Sequence, residues 1–179
     1  VSSGLGLETA RAAAAHGAEV VGTARDLDNA RVAIEPFSDL ALEVVECDLA
    51  SLASVRVCAD SLTSLGAPFD VVVANAGVMN CPLGRTVDGF ETHFGTNHLG
   101  HFLLVNRIAP LIREGGRVIV LTSMAHHTSD VDLYDPGFER TVYVPFQAYG
   151  RSKTANILFA IELDRRLRWN AGAALVEDW

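Results

Sequence analysis

The sequence predicts an α/β fold built on a doubly wound parallel sheet. Short apolar runs, typical of strands inside a sheet, alternate along the chain with longer stretches of helical character. The clearest runs are 69–74 and 117–122, and their continuous apolar character predicts strands that are buried on both faces. No internal repeat or linker interrupts this rhythm, so the 179 residues are predicted to form one domain.

Each element is predicted from a local pattern. Helices are expected where apolar residues recur at helical spacing or where alanine dominates, over 8–16, 27–33, 51–65, 90–112 and 149–167. Strands are expected over the short apolar runs 18–23, 42–47, 69–74 and 117–122. Two segments rich in proline or glycine, 78–89 and 125–146, are predicted loops. The second loop is long for a compact domain, which favours a functional role.

Composition excludes several classes of function. The net charge of −8 and the pI of about 5.1 argue against nucleic acid or an anionic membrane surface as the main partner. No apolar run reaches the roughly 18 residues that a membrane span needs. The three cysteines match no metal spacing and predict reduced thiols. We therefore expect a cytoplasmic protein.

Tyr149 and Lys153 are the central candidate residues. They lie four positions apart in a predicted helix, so they share one face. A phenol has a reference pKa of about 10, and a nearby ammonium lowers it by favouring the phenolate. The pair is therefore a candidate proton donor with its activator. The alternative is a tyrosine and a lysine that are neighbours on a helix surface.

The N-terminal segment predicts a phosphate-binding turn. Gly4 and Gly6 stand directly before a helix, where they would let a phosphate approach the backbone N–H groups. Taken alone, a glycine pair of this kind also fits an ordinary loop.

Charged residues follow the predicted strands 18–23 and 42–47. Arg25 suits the 2′-phosphate of NADP, whereas an acid at the same place would bind the ribose hydroxyl of NAD. Asp26 is either a helix N-cap or a complication of that choice. Asp48 lies at the carboxyl end of a strand, where open sheets bind ligands, and the alternative is that it caps the next helix. The sequence thus predicts NADP as the preferred cofactor, with NAD as the second choice.

Five segments in order resemble the short-chain dehydrogenase/reductase superfamily, and within it the subgroup of retinol dehydrogenases and WW-domain oxidoreductases. They are Ser-Ser-Gly-Leu-Gly at 2–6, Asn-Ala-Gly at 75–77, Thr-Asn-His-Leu-Gly-His-Phe at 96–102, Thr-Ser-Met-Ala-His-His at 122–127 and Tyr-Gly-Arg-Ser-Lys at 149–153. The resemblance spans nearly the whole chain and implies an NAD(P)-binding Rossmann fold.

The resemblance also implies four catalytic roles. Tyr149 matches the general acid/base that exchanges a proton with a carbonyl or alcohol oxygen, and Lys153 matches the residue that binds the nicotinamide ribose and lowers the tyrosine pKa. Ser123 matches the residue that hydrogen-bonds the substrate oxygen. Asn97 matches the helix residue that holds a water of a proton relay. The expected activity is an NADP-dependent oxidoreductase that interconverts a small-molecule carbonyl and an alcohol.

Further residues match the family's cofactor cradle. The implied contacts are Ser3, Gly4, Leu5 and Gly6 at the pyrophosphate, Arg25 at the 2′-phosphate, Asp48 and Leu49 at the adenine, Asn75, Ala76 and Gly77 beside the adenosine and ribose, and Tyr149 and Lys153 at the nicotinamide ribose. His93, His98 and His101 cluster on one predicted helix, but no carboxylate or cysteine completes a recognisable ligand set, so no metal site is predicted.

The resemblance also implies a fold that is incomplete at both ends. The family's first strand would precede Val1, and its sixth strand is represented by the few strand-like residues at 173–176. A second function therefore stands beside the enzyme: an inactive truncated remnant that acts as a binding or oligomerisation partner through an open sheet edge. By resemblance, a homodimer would form through helices 90–112 and 149–167.

Overall fold

A computed structural model describes residues 1–169 and confirms the α/β class. Five α-helices and four strands alternate along this part of the chain: α1 (Gly4–Ala15), β1 (Val20–Ala24), α2 (Leu27–Ile34), β2 (Leu42–Glu46), α3 (Leu52–Ser64), β3 (Phe69–Ala74), α4 (Gly100–Ile108), β4 (Ile112–Val120) and α5 (Pro145–Trp169). Shorter helical segments are Glu35–Phe37, the π-helical Phe94–Leu99, Ala109–Leu111 and Met124–Thr128. The predicted strand at 173–176 lies outside the described residues.

The strands pair in parallel, as predicted, but as two separate pairs. β1 pairs with β2, from Val20 opposite Leu42 to Ala24 opposite Glu46. β3 pairs with β4, with an irregularity in register after Phe69. Among the strands of residues 1–169, none joins β1 to β3.

This arrangement corrects the prediction that 69–74 and 117–122 are buried on both faces, since Ile119 of β4 is also 46% exposed. Val71 and Val73 are 49% and 39% exposed. The two residues lie two positions apart, so they share one face of β3. That face is uncovered within the described chain, whereas Val72 on the other face packs into the core.

The core positions α4 between two other helices. One cluster joins α3 and α4 to the strands and contains the buried side chains Cys47, Leu49, Val55, Cys58, Ala59, Leu62, Leu104 and Ile108. A second cluster joins α4 to α5 through Val105, Phe159 and Leu163. The middle of α5 is thereby fixed against α4.

Two helices begin earlier than predicted. α1 begins at Gly4 rather than at residue 8, because the glycine-rich turn is itself the first helical turn. α5 begins at Pro145 rather than at Tyr149. Proline is well suited to a first helical turn, since the N–H that it lacks would have no partner there. Phe146, assigned to the loop by the sequence, therefore lies in α5.

The predicted helix 90–112 is interrupted. Helical structure begins at residue 92 rather than at 90, and its first part is the π-helical segment Phe94–Leu99, which continues directly into α4. The last turn tightens at Ala109–Leu111, where Pro110 cannot donate the hydrogen bond that an α-helix needs. Ile112 already belongs to β4, so that strand covers Ile112–Val120 instead of 117–122.

Candidate active site

Tyr149 and Lys153 share one face of α5, as their spacing predicts. Nζ of Lys153 lies 5.6 Å from the centre of the Tyr149 ring and donates a hydrogen bond of 3.1 Å to the carbonyl oxygen of Leu121. Lys153 is only 4% exposed, which excludes a pair of surface neighbours. Burial lowers the pKa of Lys153, because it disfavours the charged ammonium.

The end of β4 packs tightly against the same turns of α5. Oγ1 of Thr122 donates to the carbonyl oxygen of Lys153 over 3.1 Å. A Cβ atom on Gly150 would come within 2.5 Å of the Ala125 carbonyl oxygen, so only glycine permits this approach. Ser123 lies between these contacts and caps the helical turn that follows, where its Oγ accepts from the N–H of Ala125 at 3.2 Å. Ser123 therefore lies against the helix that carries Tyr149.

Asn97 joins three segments at a fully buried position. Its amide nitrogen donates to the carbonyl oxygen of Val78 at 2.9 Å and to Oγ of Ser152 at 3.1 Å. Its Oδ1 accepts from the N–H of Val78 at 2.7 Å. Both hydrogens of the Asn97 amide group are therefore donated to other protein groups. Asn97 itself lies in the π-helical segment. Single π-helical turns occur frequently at functional sites.

Two histidines of the same helix make separate contacts. Nδ1 of His98 meets Oδ1 of Asn156 at 3.2 Å, and Nε2 of His101 meets the carbonyl oxygen of Ala76 at 2.8 Å. Burial lowers both pKa values, that of His101 to about 4, so His101 is neutral near pH 7. Within residues 1–169, no group of three or more His, Cys, Asp or Glu side chains could hold a metal ion.

The glycine turn meets the segment that follows β3. A Cβ atom on Gly6 would lie 2.9 Å from Nδ2 of Asn75, so these two predicted cofactor residues are in close proximity. Gly4 has a φ of 61°, a conformation that favours glycine. Ser3 occupies the N-cap of α1 without a side-chain capping bond, and Leu5 is 74% exposed.

The residues after β1 have distinct roles. Asp26 is the N-cap of α2, where its carboxylate accepts from the N–H groups of Asp28 and Asn29 at 3.0 Å each. Arg25 stands directly before it with an exposed side chain. The N-cap alternative for Asp26 is thus confirmed.

The capping alternative for Asp48 is wrong. Ser51 caps α3 by accepting from the N–H of Ser54 at 3.3 Å. Asp48 instead accepts from the N–H of Ala50 at 2.9 Å in the preceding turn. Leu49 is 8% exposed and packs against Gly100, where a Cβ would lie 2.5 Å from the Leu49 carbonyl oxygen.

The sequence interpretation missed a buried polar cluster beside Tyr149. Glu91 and His93 are 2% and 0% exposed, and Oε1 of Glu91 lies 2.8 Å from Nδ1 of His93. The hydroxyl of Tyr143, which belongs to the predicted loop 125–146, lies 3.2 Å from the same carboxylate oxygen. A glutamate near a helix start carries no sequence signal of burial, so only the tertiary structure reveals the cluster.

No helix among residues 1–169 is both long enough and apolar enough to cross a membrane.

Comparisons with known proteins identify the family of the chain. Residues 1–135 match the model of a family described as enoyl-(acyl carrier protein) reductase. Mouse retinol dehydrogenase 12 is 39% identical over 173 residues, which cover 93% of this chain and 54% of that protein. The short-chain dehydrogenase/reductase prx1 of Penicillium roqueforti is 38% identical, over 92% of this chain and 50% of its own length. The chain thus spans about half the length of the curated relatives that it matches.

Solved structures show the same fold. An uncharacterised protein from Mycobacterium paratuberculosis superimposes with a TM-score of 0.87 at 43% identity, over 94% of this chain and 60% of that one. RhlG of Pseudomonas aeruginosa, solved as an active-site complex with NADP, gives a TM-score of 0.73 at 26% identity over 94% of this chain and 64% of that one. With the family model and the relatives above, these matches establish that the chain belongs to the short-chain dehydrogenase/reductase family.

Proposed function

We propose that the protein is an NADP-dependent oxidoreductase that interconverts a carbonyl and an alcohol by hydride transfer, with Tyr149 as general acid/base. One observation carries this proposal: buried Lys153 lies 5.6 Å from the Tyr149 ring, on a helix packed against the end of β4. A fixed ammonium beside a phenol favours the phenolate, which suits Tyr149 to exchange a proton near neutral pH.

Each neighbouring residue has a role in this chemistry. Hydride transfer to a carbonyl builds negative charge on its oxygen, so one group must supply a proton while another stabilises the charge. Tyr149 supplies the proton and Ser123 hydrogen-bonds the oxygen. Lys153 holds the nicotinamide ribose and lowers the pKa of the phenol. Asn97 fixes the segment beneath Lys153 and, in this proposal, also holds a water of the proton relay.

The described residues fit a dinucleotide. NADP, when bound, supplies the hydride, and the protein supplies its binding and orientation. A Cβ atom on Gly77 would lie 2.9 Å from Oδ1 of Asn97 and 3.8 Å from Nζ of Lys153. Glycine at this position therefore leaves space beside the ammonium group of Lys153. The N-terminus of α1 offers N–H groups without intrahelical partners, which suits a pyrophosphate.

The proposed cradle combines the residues at these openings. The pyrophosphate would be held by Ser3, Gly4, Leu5 and Gly6. The adenine would lie beside Asp48 and Leu49, and the adenosine and ribose side beside Asn75, Ala76 and Gly77. The nicotinamide ribose would be bound by Tyr149 and Lys153.

NADP is preferred over NAD in this proposal because of Arg25. Its exposed guanidinium follows β1, where a 2′-phosphate would lie. The carboxylate of Asp26, which would otherwise suit the ribose hydroxyl of NAD, accepts three hydrogen bonds in capping α2, two from backbone N–H groups and one from the Asn29 side chain.

A second candidate function, a binding or oligomerisation partner without catalysis, is supported by the uncovered face of β3. Val71, Val73 and Ile119 of the β3–β4 pair are 39–49% exposed, which is unusual for the apolar strands of such a sheet. Exposed apolar side chains grouped on one face favour association with another chain.

We also propose a homodimer through the surfaces formed by residues 90–112 and 149–167. An apolar groove runs between these helices and is lined by Phe94, Phe102, Leu158 and Phe159, among others. Leu158 and Ile161 are 53% and 63% exposed. Light scattering of wild-type protein and of Ile161→Glu tests this, and a wild-type monomer would contradict it.

A cytoplasmic location completes the proposal. It is supported by the three free cysteines of the described residues, which suit a reducing compartment. Imaging of a tagged chain in its host would test it, and accumulation in an organelle would contradict it.

The test of the proposed activity is NADPH oxidation in the presence of a panel of aldehydes and ketones. Tyr149→Phe removes only the phenolic hydroxyl, so we expect turnover to fall by about 100-fold or more, the usual contribution of a general acid. Tyr134→Phe is the matched control, because that tyrosine is 90% exposed. Equal turnover by the wild type and Tyr149→Phe would refute the assignment.

A further inference from the structure

The segment 129–144 has a defined conformation beside the proposed active site. Phe138 has a φ of 55° and is 6% exposed. A bulky residue adopts this left-handed conformation only where its surroundings impose it. The carboxylate of Asp135 supplies part of that constraint by accepting from the N–H groups of Glu139, Arg140 and Thr141 at 2.6 to 3.3 Å.

Helix α5 holds this segment through Arg151. The guanidinium carbon of Arg151 lies 3.9 Å from the centre of the Phe138 ring, and Nη1 donates to the carbonyl oxygen of Asp135 at 2.5 Å. Arg151 is 7% exposed and stands two positions after Tyr149. The segment is therefore attached to the helix that carries the proposed acid.

Tyr143 makes a second attachment at the other end of the segment. Its hydroxyl lies 2.9 Å from the carbonyl oxygen of Cys81 and 3.2 Å from Oε1 of Glu91. Its ring meets that of Phe138 edge to face at 5.2 Å. Burial and the charge of Glu91 raise the pKa of Tyr143, so its hydroxyl keeps its proton and remains a donor.

Glu91, one of the partners of Tyr143, forms a buried hydrogen-bonded pair with His93. Burial opposes ionisation of Glu91, yet hydrogen bonds from the His93 ring and from the N–H groups of His93 and Phe94 outweigh it and lower the pKa of Glu91. Nε2 of His93 accepts from the N–H of Cys81 at 3.1 Å, so the single ring proton lies on Nδ1 and points to Glu91.

This pair also touches the proposed acid. The ring of His93 packs edge to face against that of Tyr149, with centres 6.1 Å apart. The Glu91–His93 pair is therefore in contact with Tyr143 on one side and with Tyr149 on the other.

We propose that Tyr143 is a positioning residue: its hydroxyl fixes segment 129–144 to the Cys81 carbonyl oxygen and the adjacent Glu91–His93 pair. It so holds this segment as a preformed wall of the substrate site beside Tyr149. The catalytic part of this inference rests on the proposed oxidoreductase function. A preformed wall reduces the ordering that substrate binding would otherwise require, and this favours a low KM.

Limited trypsin cleavage after Arg140 tests the attachment without any need for activity, since Arg140 is exposed within the segment. Tyr143→Phe keeps the ring and removes the hydroxyl. Loss of one hydrogen bond should raise the cleavage rate about fivefold, because local opening becomes easier. Tyr134→Phe, in the same segment, should cleave at the wild-type rate. A wild-type rate in Tyr143→Phe would overturn the attachment.

Kinetics test the positioning role. In Tyr143→Phe we expect KM for the carbonyl substrate to rise about fivefold, while the affinity for NADPH stays within twofold of wild type and kcat changes less than KM. Faster cleavage with unchanged KM would overturn the positioning role. A wild-type chain that binds no NADPH and turns over no carbonyl would overturn the proposed function and the catalytic half of this inference, while the cleavage rates would still decide the attachment.

Discussion

The side-chain amide of Asn97 donates a hydrogen bond of 3.1 Å to Oγ of Ser152, a residue 55 positions away. Ser152 in turn donates to the carbonyl oxygen of Tyr149 at 2.7 Å. These two bonds join the π-helical segment before α4 to the first turns of α5. The backbone that carries Tyr149 is thus held from inside the protein.

Asn97→Asp should therefore destabilise the fold. The substitution replaces two donated hydrogen bonds with a carboxylate that is fully buried. We expect the free energy of unfolding to fall by about 2–4 kcal/mol, as measured by urea denaturation near pH 7. Asn80→Asp is the matched control, because Asn80 is exposed, and it should change stability by less than about 0.5 kcal/mol. Equal effects of the two substitutions would contradict the proposed role of Asn97.

Gly150→Ala should disturb the contact between the end of β4 and α5. The added methyl group would lie 2.5 Å from both the Ala125 carbonyl oxygen and Oγ1 of Thr128, so one of the segments must move. We expect a loss of about 1–3 kcal/mol in unfolding free energy, the usual cost of overpacking. Chemical denaturation measures it, and a variant as stable as wild type would show that this contact is looser than described.

His101 should make stability depend on pH. Burial lowers its pKa to about 4 from an ordinary value of 6.5. Between these two values the unfolded chain binds a proton that the folded chain does not, so stability is lost as the pH falls from 6.5 towards 4. The loss from this group should be about 2–3 kcal/mol between pH 7 and 4.5.

The comparison of wild type with His101→Phe isolates this contribution, since other groups titrate in both proteins. The unfolding free energy of wild type minus that of His101→Phe should decrease by about 2–3 kcal/mol as the pH falls from 7 to 4.5. A difference that stays constant with pH would show that folding does not lower the pKa of His101.

Arg25→Ala should weaken the binding of NADPH but not of NADH. Loss of a charge-assisted hydrogen bond to a 2′-phosphate costs about 1.5–3 kcal/mol, or roughly 10- to 150-fold in Kd. Arg31→Ala, which removes another exposed arginine that pairs with Asp28, is the control and should bind as wild type. Equal losses for both cofactors would mean that Arg25 does not recognise the phosphate.

The sequence was sufficient for the alternation of strands and helices, because burial in a parallel sheet leaves a direct apolar pattern. It also predicted that Tyr149 and Lys153 share a face, since helix geometry determines that from spacing alone. It could not predict that β3 has an uncovered face, because the apolar pattern of a strand does not show which elements pack against each of its faces.

The sequence was least informative about the polar interior. Glu91, His93 and Arg151 are residue types that usually lie at the surface or at the margin of the core, and their burial depends on partners far along the chain. The attachment of Tyr143 is similar, since its partners Cys81 and Glu91 are more than 50 positions away. Hydrogen bonds of this kind have no periodic signature.

The most direct test of the account is a fluorescence titration of the purified 179-residue chain with NADPH and with NADH. We predict saturable binding of both, with a lower Kd for NADPH, because the glycine turn, Gly77 and Arg25 belong to the proposed cofactor cradle. A folded chain that binds neither cofactor would contradict the proposed enzyme and leave the binding or oligomerisation role as the surviving hypothesis.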